Sequence, residues 1–316
     1  MTRILFGTLA CLLAVSVTTP KESVYAIGAS EKTAEVSVSA RATVGAVSTE
    51  GGKISYTLPG LPNRNVRAHK RLTLKVNGKA LSDAALVMNG ATYLPLRSFL
   101  LAFGEASVSY DSASRTATAK MTGLSISVTD GGFVTYANDR PLFSFTPAVL
   151  MNDGNMYVPA TALTKALGIA AGSVSGSTVS YFGTARPLVH ASRYYREDEV
   201  LWLSRIISAE ARGESLIGQI AVGNVIMNRV RSASFPNTIW GVIFDKRYGI
   251  QFSPVANGTV YNTPTYTATL AAKICLEGTS LSYDTLYFLN PRAAHSSWIA
   301  NNRKYAYTIL NHDFYY

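Results

Sequence analysis

Glu210 is the residue of this chain whose type and position best suit acid–base chemistry. It follows Ile206 by four residues and Ile207 by three, in a stretch whose apolar residues repeat at helical spacing. This spacing predicts that the carboxyl faces the core, one turn before Gly213 ends the helix. Burial raises the pKa of a carboxyl, so that a glutamic acid holds its proton at neutral pH and acts as a general acid. The same position fits a structural ion pair with Arg212 or another partner equally well.

The pattern around this glutamate predicts a mainly helical domain. A first helix is expected from about Glu199 to Arg212, and acidic residues at its start suit the helix dipole. Thr263 and Pro264 are expected to open a later long helix as its N-cap and first residue, and Gly278 to close it. Further elements are expected as a helix over 215–229, a short helix over 236–244, and strands over 284–289 and 305–310.

Several polar groups of this region allow more than one role. Asn224 and Asn228 recur at four-residue spacing, where their amides either line a cleft or bridge buried backbone. Glu214 is expected to be exposed or to cap a helix. Cys275 lies in an apolar helical stretch and is expected to be a small core residue rather than a nucleophile. The other cysteine, Cys11, is expected to leave during export, so we expect no intramolecular disulfide.

Other hydrolytic chemistries fit the sequence poorly. The chain has no HExxH sequence and no paired cysteines, and the histidines of the C-terminal region, His190, His295 and His312, are scattered. A Gly-x-Ser-x-Gly sequence, which would support a serine hydrolase, is also absent. We therefore expect neither a metal ion nor a cofactor.

The N-terminus has the features of an export signal. Arg3 precedes an apolar run from Ile4 to Val17, and cleavage is expected after Ala26. A buried N-terminal helix is the alternative, and Pro20 disfavours it. No later stretch is apolar for the ~18 residues that a membrane span needs. The expected mature protein is secreted.

Composition indicates a basic globular protein of two domains. Of its 316 residues, 47% are hydrophobic and 15% are charged, with a net charge of +10. A basic exported protein meets anionic polymers such as teichoic acids, peptidoglycan carboxylates or lipid head groups. The basic residues are scattered rather than clustered on one face, which disfavours nucleic acid as a partner.

Residues 70–186 contain an internal repeat, after a lead-in over 27–69 that is expected to be flexible or extended. Residues 93–104, YLPLRSFLLAFG, resemble residues 157–168, YVPATALTKALG, at an offset of 64. Each copy predicts a strand, a proline at the helix start, a short helix and a glycine stop. Neither copy can bury its apolar face alone, so the two are expected to pack together.

This repeat region resembles the copper amine oxidase N-terminal-like domain found in secreted Gram-positive proteins. The resemblance implies no copper site here, because residues 70–186 contain neither histidine nor cysteine. It implies a small α+β stalk or wall-contact module without a catalytic role, and a plain structural spacer is the alternative.

The C-terminal region, residues 190–316, resembles the SleB/CwlJ-type cell wall hydrolases. The segments that carry the resemblance are AEARGE at 209–214, GQIAVGNVIMNRV at 218–230, FPNTI at 235–239, QFSPV at 251–255, YFLNP at 287–291 and NH at 311–312. One departure concerns Leu310, since relatives tend to have glycine before Asn-His. This departure affects the expected turn geometry near the C-terminus.

The resemblance implies a compact, lysozyme-like, mainly helical α+β catalytic domain that acts on peptidoglycan glycan strands. It assigns the catalytic role to Glu210, and it points to cleft-lining residues at Gln251, Ser253, Tyr287, Asn290 and Trp298. The implied reaction is a lytic transglycosylation between N-acetylmuramic acid and N-acetylglucosamine.

Two alternatives remain open from the sequence. A muramidase that uses water would need a second carboxylate, for which Asp245, Asp284 and Asp313 are candidates. A non-catalytic wall-binding protein is the other alternative, and the intact AEARGE segment disfavours it.

Overall fold

The computed structural model describes residues 45–50, 53–57, 63–247, 249–293 and 297–316. The expected signal peptide over 1–26 and most of the lead-in lie outside these residues. Among the described residues, no helix has both the length and the apolar character required to cross a membrane.

The described part of the lead-in contains a β-hairpin. Strand β1 (Gly45–Glu50) pairs antiparallel with β2 (Lys53–Thr57). Strand β2 also pairs, in parallel, with a strand near the C-terminus at Thr308. The hairpin therefore extends a sheet of the C-terminal domain and not one of the repeat domain.

Two sheets and two short helices form the repeat domain. The antiparallel sheet contains five consecutive strands, and the larger, mixed sheet contains the others. The elements are β3 (Lys70–Val76), β4 (Lys79–Ala80), β5 (Ala85–Met88), β6 (Ala91–Pro95), α1 (Leu96–Leu101), β7 (Ala106–Asp111), β8 (Thr116–Met121), β9 (Leu124–Thr129), β10 (Val134–Ala137), β11 (Arg140–Phe143), β12 (Val149–Leu150), β13 (Met156–Pro159), α2 (Ala160–Leu167), β14 (Ser173–Ser175) and β15 (Thr178–Tyr181). The mixed sheet has the order β12-β13-β6-β5-β3-β15-β14, with β4 beside β3.

The two copies of the repeat meet at the centre of the mixed sheet. Strands β6 and β13 pair antiparallel, with Leu94 opposite Val158, Tyr93 opposite Pro159 and Pro95 opposite Tyr157. Leu94 pairs with its own equivalent in the other copy, and Tyr93 and Pro95 each pair with the equivalent of the other, so a local two-fold axis passes between Leu94 and Val158. The expectation that the copies pack together is confirmed.

Tight turns of this domain use asparagine in the left-handed region. Asn77, Asn89 and Asn138 have φ of 49°, 49° and 50°, and each joins two antiparallel strands. Left-handed backbone disfavours most side chains, and asparagine and glycine tolerate it best. These turns fix the register of the strands on either side.

Helices dominate the C-terminal domain. The elements are α3 (Ala191–Tyr194), α4 (Glu197–Ala211), α5 (Leu216–Arg231), α6 (Ile239–Ile243), α7 (Ser253–Ala256), α8 (Tyr266–Leu276), β16 (Tyr287–Leu289), α9 (Trp298–Asn302), β17 (Tyr305–Ile309) and β18 (His312–Tyr315). Helices α4, α5 and α8 pack on one another around a shared apolar core, and β17, β18 and β16 form the sheet beside them. The α+β class predicted from the sequence is confirmed.

The start of α8 differs from the prediction. The helix begins at Tyr266, and its N-cap is Thr265, whose Oγ1 accepts a hydrogen bond from the Ala268 N–H at 3.2 Å. The Thr265 N–H donates to Ser208 Oγ of α4 at 3.2 Å. This contact to the neighbouring helix places the cap two residues after Thr263, a shift that a local pattern cannot show.

The two domains meet at a buried ion cluster around Glu277, just after α8. Arg140 of the repeat domain donates to its carboxylate through Nε at 2.7 Å and Nη2 at 2.9 Å. Lys165 Nζ lies 2.9 Å from Oε2 of this carboxylate, and the Tyr195 hydroxyl donates to Oε1 at 2.6 Å. The Glu277 side chain has no exposed surface. The domains are therefore joined by a specific polar contact as well as by the connecting chain.

Apolar contacts surround this cluster. Phe145 is part of the core of the C-terminal domain, and Phe143 and Val134 pack against it. Tyr194 places its ring 3.3 Å from the Arg140 guanidinium carbon and donates its hydroxyl to the Leu276 carbonyl at 3.2 Å.

Candidate active site

Glu210 lies in the last turn of α4, one turn after the buried Ile206 and Ile207, and is itself partly buried. Desolvation raises the pKa of its carboxyl to about 7, and the charge of Arg229 opposes this shift without overcoming it. Among the described residues, none forms a hydrogen bond or a close ion pair with this carboxyl, and Arg212 is exposed. The environment is that of an acid that keeps its proton near neutral pH, and not that of a structural ion pair.

Arg229, near the end of α5, is the charged group that acts on Glu210. Its side chain is buried, and its Nε donates to the Leu286 carbonyl at 2.8 Å. The guanidinium carbon lies 4.9 Å from the centre of the Phe235 ring and 5.2 Å from that of Phe252. Burial lowers the pKa of Arg229 to about 10, so that the group stays charged at neutral pH.

Amides of α5 hold the segment that leads into β16. Asn224 donates to the Thr279 carbonyl at 2.8 Å and accepts from the Leu281 N–H at 2.9 Å. Asn228 donates to the carbonyls of Ser282 and Thr285 at 2.8 and 2.9 Å. Of the two roles that the sequence allowed, these asparagines bridge buried backbone. They fix the position from which Tyr287 reaches the site.

Arginines and aromatic rings alternate along one side of the site. The Tyr287 ring centre is 5.4 Å from the Arg229 guanidinium carbon and 4.5 Å from that of Arg303. The centre of the Trp298 ring lies 5.0 Å from the Arg303 guanidinium carbon, and Trp298 is 52% exposed. The structure thus brings Tyr287 and Trp298 together around one arginine, Arg303, with the face of Trp298 partly exposed.

The other expected cleft residues lie in two separate segments of the chain. Gln251 is partly buried and donates from Nε2 to the Gly249 carbonyl at 3.1 Å, whereas Ser253 is exposed at the start of α7. Phe252 between them packs toward Arg229. Asn290 follows β16, and its Oδ1 accepts from the Arg292 N–H in a local turn at 3.0 Å.

The three candidate second carboxylates differ in their surroundings. Asp245 accepts hydrogen bonds from the backbone and side chain of Arg247, which lower its pKa, and it lies within electrostatic reach of Arg229. Asp284 is exposed. Asp313 is buried in β18, where it accepts from the Thr308 hydroxyl at 2.5 Å.

Glu214 is a residue whose place the sequence did not predict. It was expected to be exposed or to cap a helix, but its side chain is only 5% exposed. Its Oε1 accepts from Asn311 Nδ2 at 2.9 Å and lies 3.5 Å from His312 Nδ1. Glu214 therefore ties the turn between α4 and α5 to the C-terminal hairpin. The joint occurrence of AEARGE and NH was the available signal, but it gave no spatial relation.

The hairpin turn itself contains Leu310. Strands β17 and β18 pair Ile309 with His312, which leaves Leu310 and Asn311 as the two turn residues. Leu310 has φ of 48°, in the left-handed region, and its side chain is 64% exposed. The first position of such a turn favours glycine, so the departure noted in the sequence coincides with a strained residue.

A second aromatic group lies toward the start of α4. Trp202 packs edge-on against Phe244 at 5.2 Å and Tyr261 at 6.0 Å, as expected for a residue that fills a small core. Trp240 lies 5.0 Å from Phe244 and is 56% exposed.

The thiol of Cys275 is buried between α5 and α8, which agrees with the expected core role.

Comparison with known proteins finds a separate match for each of the two domains. Residues 213–315 match the Cell Wall Hydrolase family, and residues 75–180 match the Copper amine oxidase N-terminal domain. The C-terminal domain is a SleB/CwlJ-type cell wall hydrolase domain. The family match of this hydrolase domain begins at Gly213, three residues after Glu210, so the family match itself does not include the carboxyl.

Relatives of the hydrolase domain include spore cortex-lytic enzymes. That of Bacillus cereus is 43% identical over 105 residues, which cover 33% of this chain and 39% of the relative. That of Bacillus subtilis strain 168 is 38% identical over 105 residues, which cover 33% of each chain. The chain thus spans well under half of the length of these relatives.

Solved structures similar to the hydrolase domain include the catalytic domain of the germination-specific lytic transglycosylase SleB from Bacillus anthracis. It is 40% identical, with 39% of this chain and 97% of that chain covered and a TM-score of 0.36. The catalytic domain of Bacillus cereus SleB is also 40% identical, with 39% and 92% covered and a TM-score of 0.35.

Proposed function

We propose that the hydrolase domain, residues 190–316, cleaves peptidoglycan glycan strands between N-acetylmuramic acid and N-acetylglucosamine as a lytic transglycosylase. The observation that carries the proposal is the partly buried Glu210 carboxyl, whose desolvation raises its pKa to about 7, a value that suits a general acid. Membership of the cell wall hydrolases supports the substrate class.

In the proposed reaction one carboxyl acts twice. Glu210 gives its proton to the glycosidic oxygen as the bond from that oxygen to C1 of the muramic acid breaks and an oxocarbenium-like centre forms at C1. The C6 hydroxyl of the same sugar then attacks C1, and its proton passes to Glu210. A 1,6-anhydro sugar results, and the enzyme returns to its starting state without water as a reactant.

The aromatic side of the site suits a sugar chain. Exposed aromatic faces such as Trp298 pack on apolar ring surfaces, and polar tips such as the Tyr287 hydroxyl bond to sugar hydroxyls. Gln251, Ser253 and Asn290 are proposed to contact the acetamido and hydroxyl groups of the glycan. The basic surface favours binding to anionic wall polymers. Export to the cell wall or spore cortex is part of this proposal.

Asp245 favours a second candidate, a muramidase that uses water. It is the carboxylate that shares Arg229 with Glu210, and its lowered pKa keeps it charged while Glu210 is protonated. Two carboxyls with opposed pKa values are the arrangement of a hydrolytic glycosidase. Its hydrogen bonds to Arg247 already occupy both of its oxygens, which favours the transglycosylase.

The test is mass spectrometry of the soluble muropeptides that the full chain releases from purified peptidoglycan and from spore cortex. Anhydro-muropeptides that disappear in Glu210→Gln and persist in Glu197→Gln, an exposed residue of the same helix, are expected. Reducing-end products that also disappear in Asp245→Asn would establish the muramidase instead. Binding without release of either product would overturn both and support a wall-binding protein.

A further inference from the structure

Arg229 is a buried cation to which the proposed reaction assigns no task. Its side chain is 5% exposed, and its Nη1 is buried without a hydrogen-bond partner among the described residues. An unsatisfied buried N–H costs free energy, more so on a charged group. The hydrogen bond from Nε to the Leu286 carbonyl satisfies only part of the hydrogen-bonding capacity of the guanidinium. The charge therefore has a role beyond holding the backbone.

Three aromatic rings shield this charge from water. The centres of Phe235, Phe252 and Tyr287 lie 4.9, 5.2 and 5.4 Å from the guanidinium carbon. A charge in such surroundings acts on its neighbours with weaker dielectric screening than at the surface. The rings also hold the guanidinium in place, since a cation is attracted to an aromatic face.

Glu210 is the acidic group that the charge of Arg229 can stabilise. The ionisable groups whose charges act on Arg229 are Tyr287 from β16, Asp245 after α6 and Glu210 from α4. Asp245 is already hydrogen-bonded to Arg247, whereas the Glu210 carboxyl has no hydrogen bond from a described residue. The negative charge that appears when Glu210 loses its proton thus lacks any other described partner.

We propose that Arg229 is a positioning residue, a fixed and water-shielded positive charge that stabilises the Glu210 carboxylate formed when the proton moves to the glycosidic oxygen. The proposal rests on the proposed role of Glu210 as the acid. Burial alone would make the proton hard to release, and Arg229 keeps its release possible. The proton goes to the leaving oxygen and returns from the C6 hydroxyl, so no further reactant is needed.

The pH profile of kcat/KM on solubilised glycan strands separates this role from a structural one. Activity that requires protonated Glu210 falls as pH rises through the pKa of this group, near 7. In Arg229→Met we expect the midpoint of this alkaline limb to move up by about one pH unit, with a 10- to 100-fold loss of kcat. In Arg229→Lys the midpoint is expected to stay within about 0.3 pH unit of the wild type.

Arg231 provides the matched control. It lies two residues further along the same helix, is exposed, and donates to Asn228 Oδ1 at 3.2 Å. Arg231→Met is expected to leave the midpoint unchanged. Loss of activity in Arg229→Met with an unmoved midpoint would overturn the proposal and leave Arg229 as a support for the Leu286 segment.

A titration by carbon-13 NMR of glutamate carboxyls gives a readout independent of activity. The Glu210 resonance is identified by its loss in Glu210→Gln, and its midpoint is compared between the wild type and Arg229→Gln, which retains an amide donor for Leu286. A rise of about one pH unit supports the proposal even if the wild type releases no glycan, the result that would sink the proposed function alone. If Arg229→Met does not fold, Arg229→Gln decides by the same measurement, and an unmoved midpoint rejects the proposal.

Discussion

Two largely buried glutamates of this protein have opposite surroundings and opposite acidities. Glu210 at the candidate site has no hydrogen bond from a described residue, and burial raises the pKa of its carboxyl to about 7. Glu277 at the domain junction is more deeply buried, yet its bonds to Arg140, Tyr195 and Lys165 outweigh burial and lower its pKa. Burial therefore does not determine acidity by itself. The carboxyl without hydrogen bonds is the one that we propose as the acid, and the carboxyl with several hydrogen bonds is structural.

The largest effect is expected for catalysis. Glu210→Gln keeps the shape of the side chain and removes its proton transfer, so release of glycan fragments should fall by at least about 10³-fold. The corresponding change at the other region, Glu277→Gln, should leave the rate within about threefold at temperatures where both proteins are folded. Initial rates of release from purified peptidoglycan provide the comparison, and equal losses in the two variants would contradict it.

For stability, Glu277→Gln is expected to have a larger effect than Glu210→Gln. Glu277→Gln leaves Arg140 and Lys165 without their carboxylate in a buried cluster, which should lower the free energy of unfolding by about 3–5 kcal/mol. Glu210→Gln, which removes a costly buried carboxylate, should not lower it at neutral pH. Urea unfolding of the full chain checks both values. A Glu277 variant within about 1 kcal/mol of the wild type would show that the junction is held by its apolar contacts instead.

The pH dependence of stability should separate the two groups by sign. The pKa of Glu210 is raised above its usual 4.5, so its contribution is fully present below that pH and is lost as pH rises through about 7, by about 3 kcal/mol. The pKa of Glu277 is lowered, so its contribution is present above the ordinary pKa and is lost in acid. Compared with wild type, Glu210→Gln should therefore gain relative stability from pH 4 to 8, as measured by unfolding at each pH.

The smallest expected effect tests a single bond of the junction. Tyr195→Phe removes the hydroxyl that donates to Glu277 and retains the ring, which should cost about 1.5–3 kcal/mol because the acceptor is charged. Tyr194→Phe, whose hydroxyl bonds to a neutral carbonyl, should cost about 1 kcal/mol and is the matched control. A smaller loss for Tyr195→Phe than for its control would argue that the Glu277 carboxyl is uncharged.

The sequence predicted the fold best where local signals agree. In the repeat domain, turns with asparagine or glycine, proline at the helix starts and the offset of 64 residues all indicate the same arrangement. The face of α4 that bears Glu210 was also predictable, because it follows from the spacing to Ile206 and Ile207. The helix face depends on residues within a few positions of one another, and the repeat depends on the recurrence of one short local pattern.

The features that the sequence did not predict depend on contacts between distant segments. Arg229 and Glu210 belong to different helices, and Arg229 has no local feature that sets it apart from the other arginines. The bond between Thr265 and Ser208 moved a helix start, and Glu214 meets Asn311 across 97 residues. The ion cluster at Glu277 joins residues of two domains. Patterns in a single sequence carry no information on such pairings.

The pairing of β6 with β13 has an evolutionary consequence. A local two-fold axis relates the two strands, so one copy of the repeat presents the same edge that the other copy binds. Two separate chains that each carried one copy would have self-complementary edges and would associate as a symmetric dimer. Duplication and fusion of such a gene would convert the interface between subunits into the centre of a sheet. Association would then no longer depend on protein concentration.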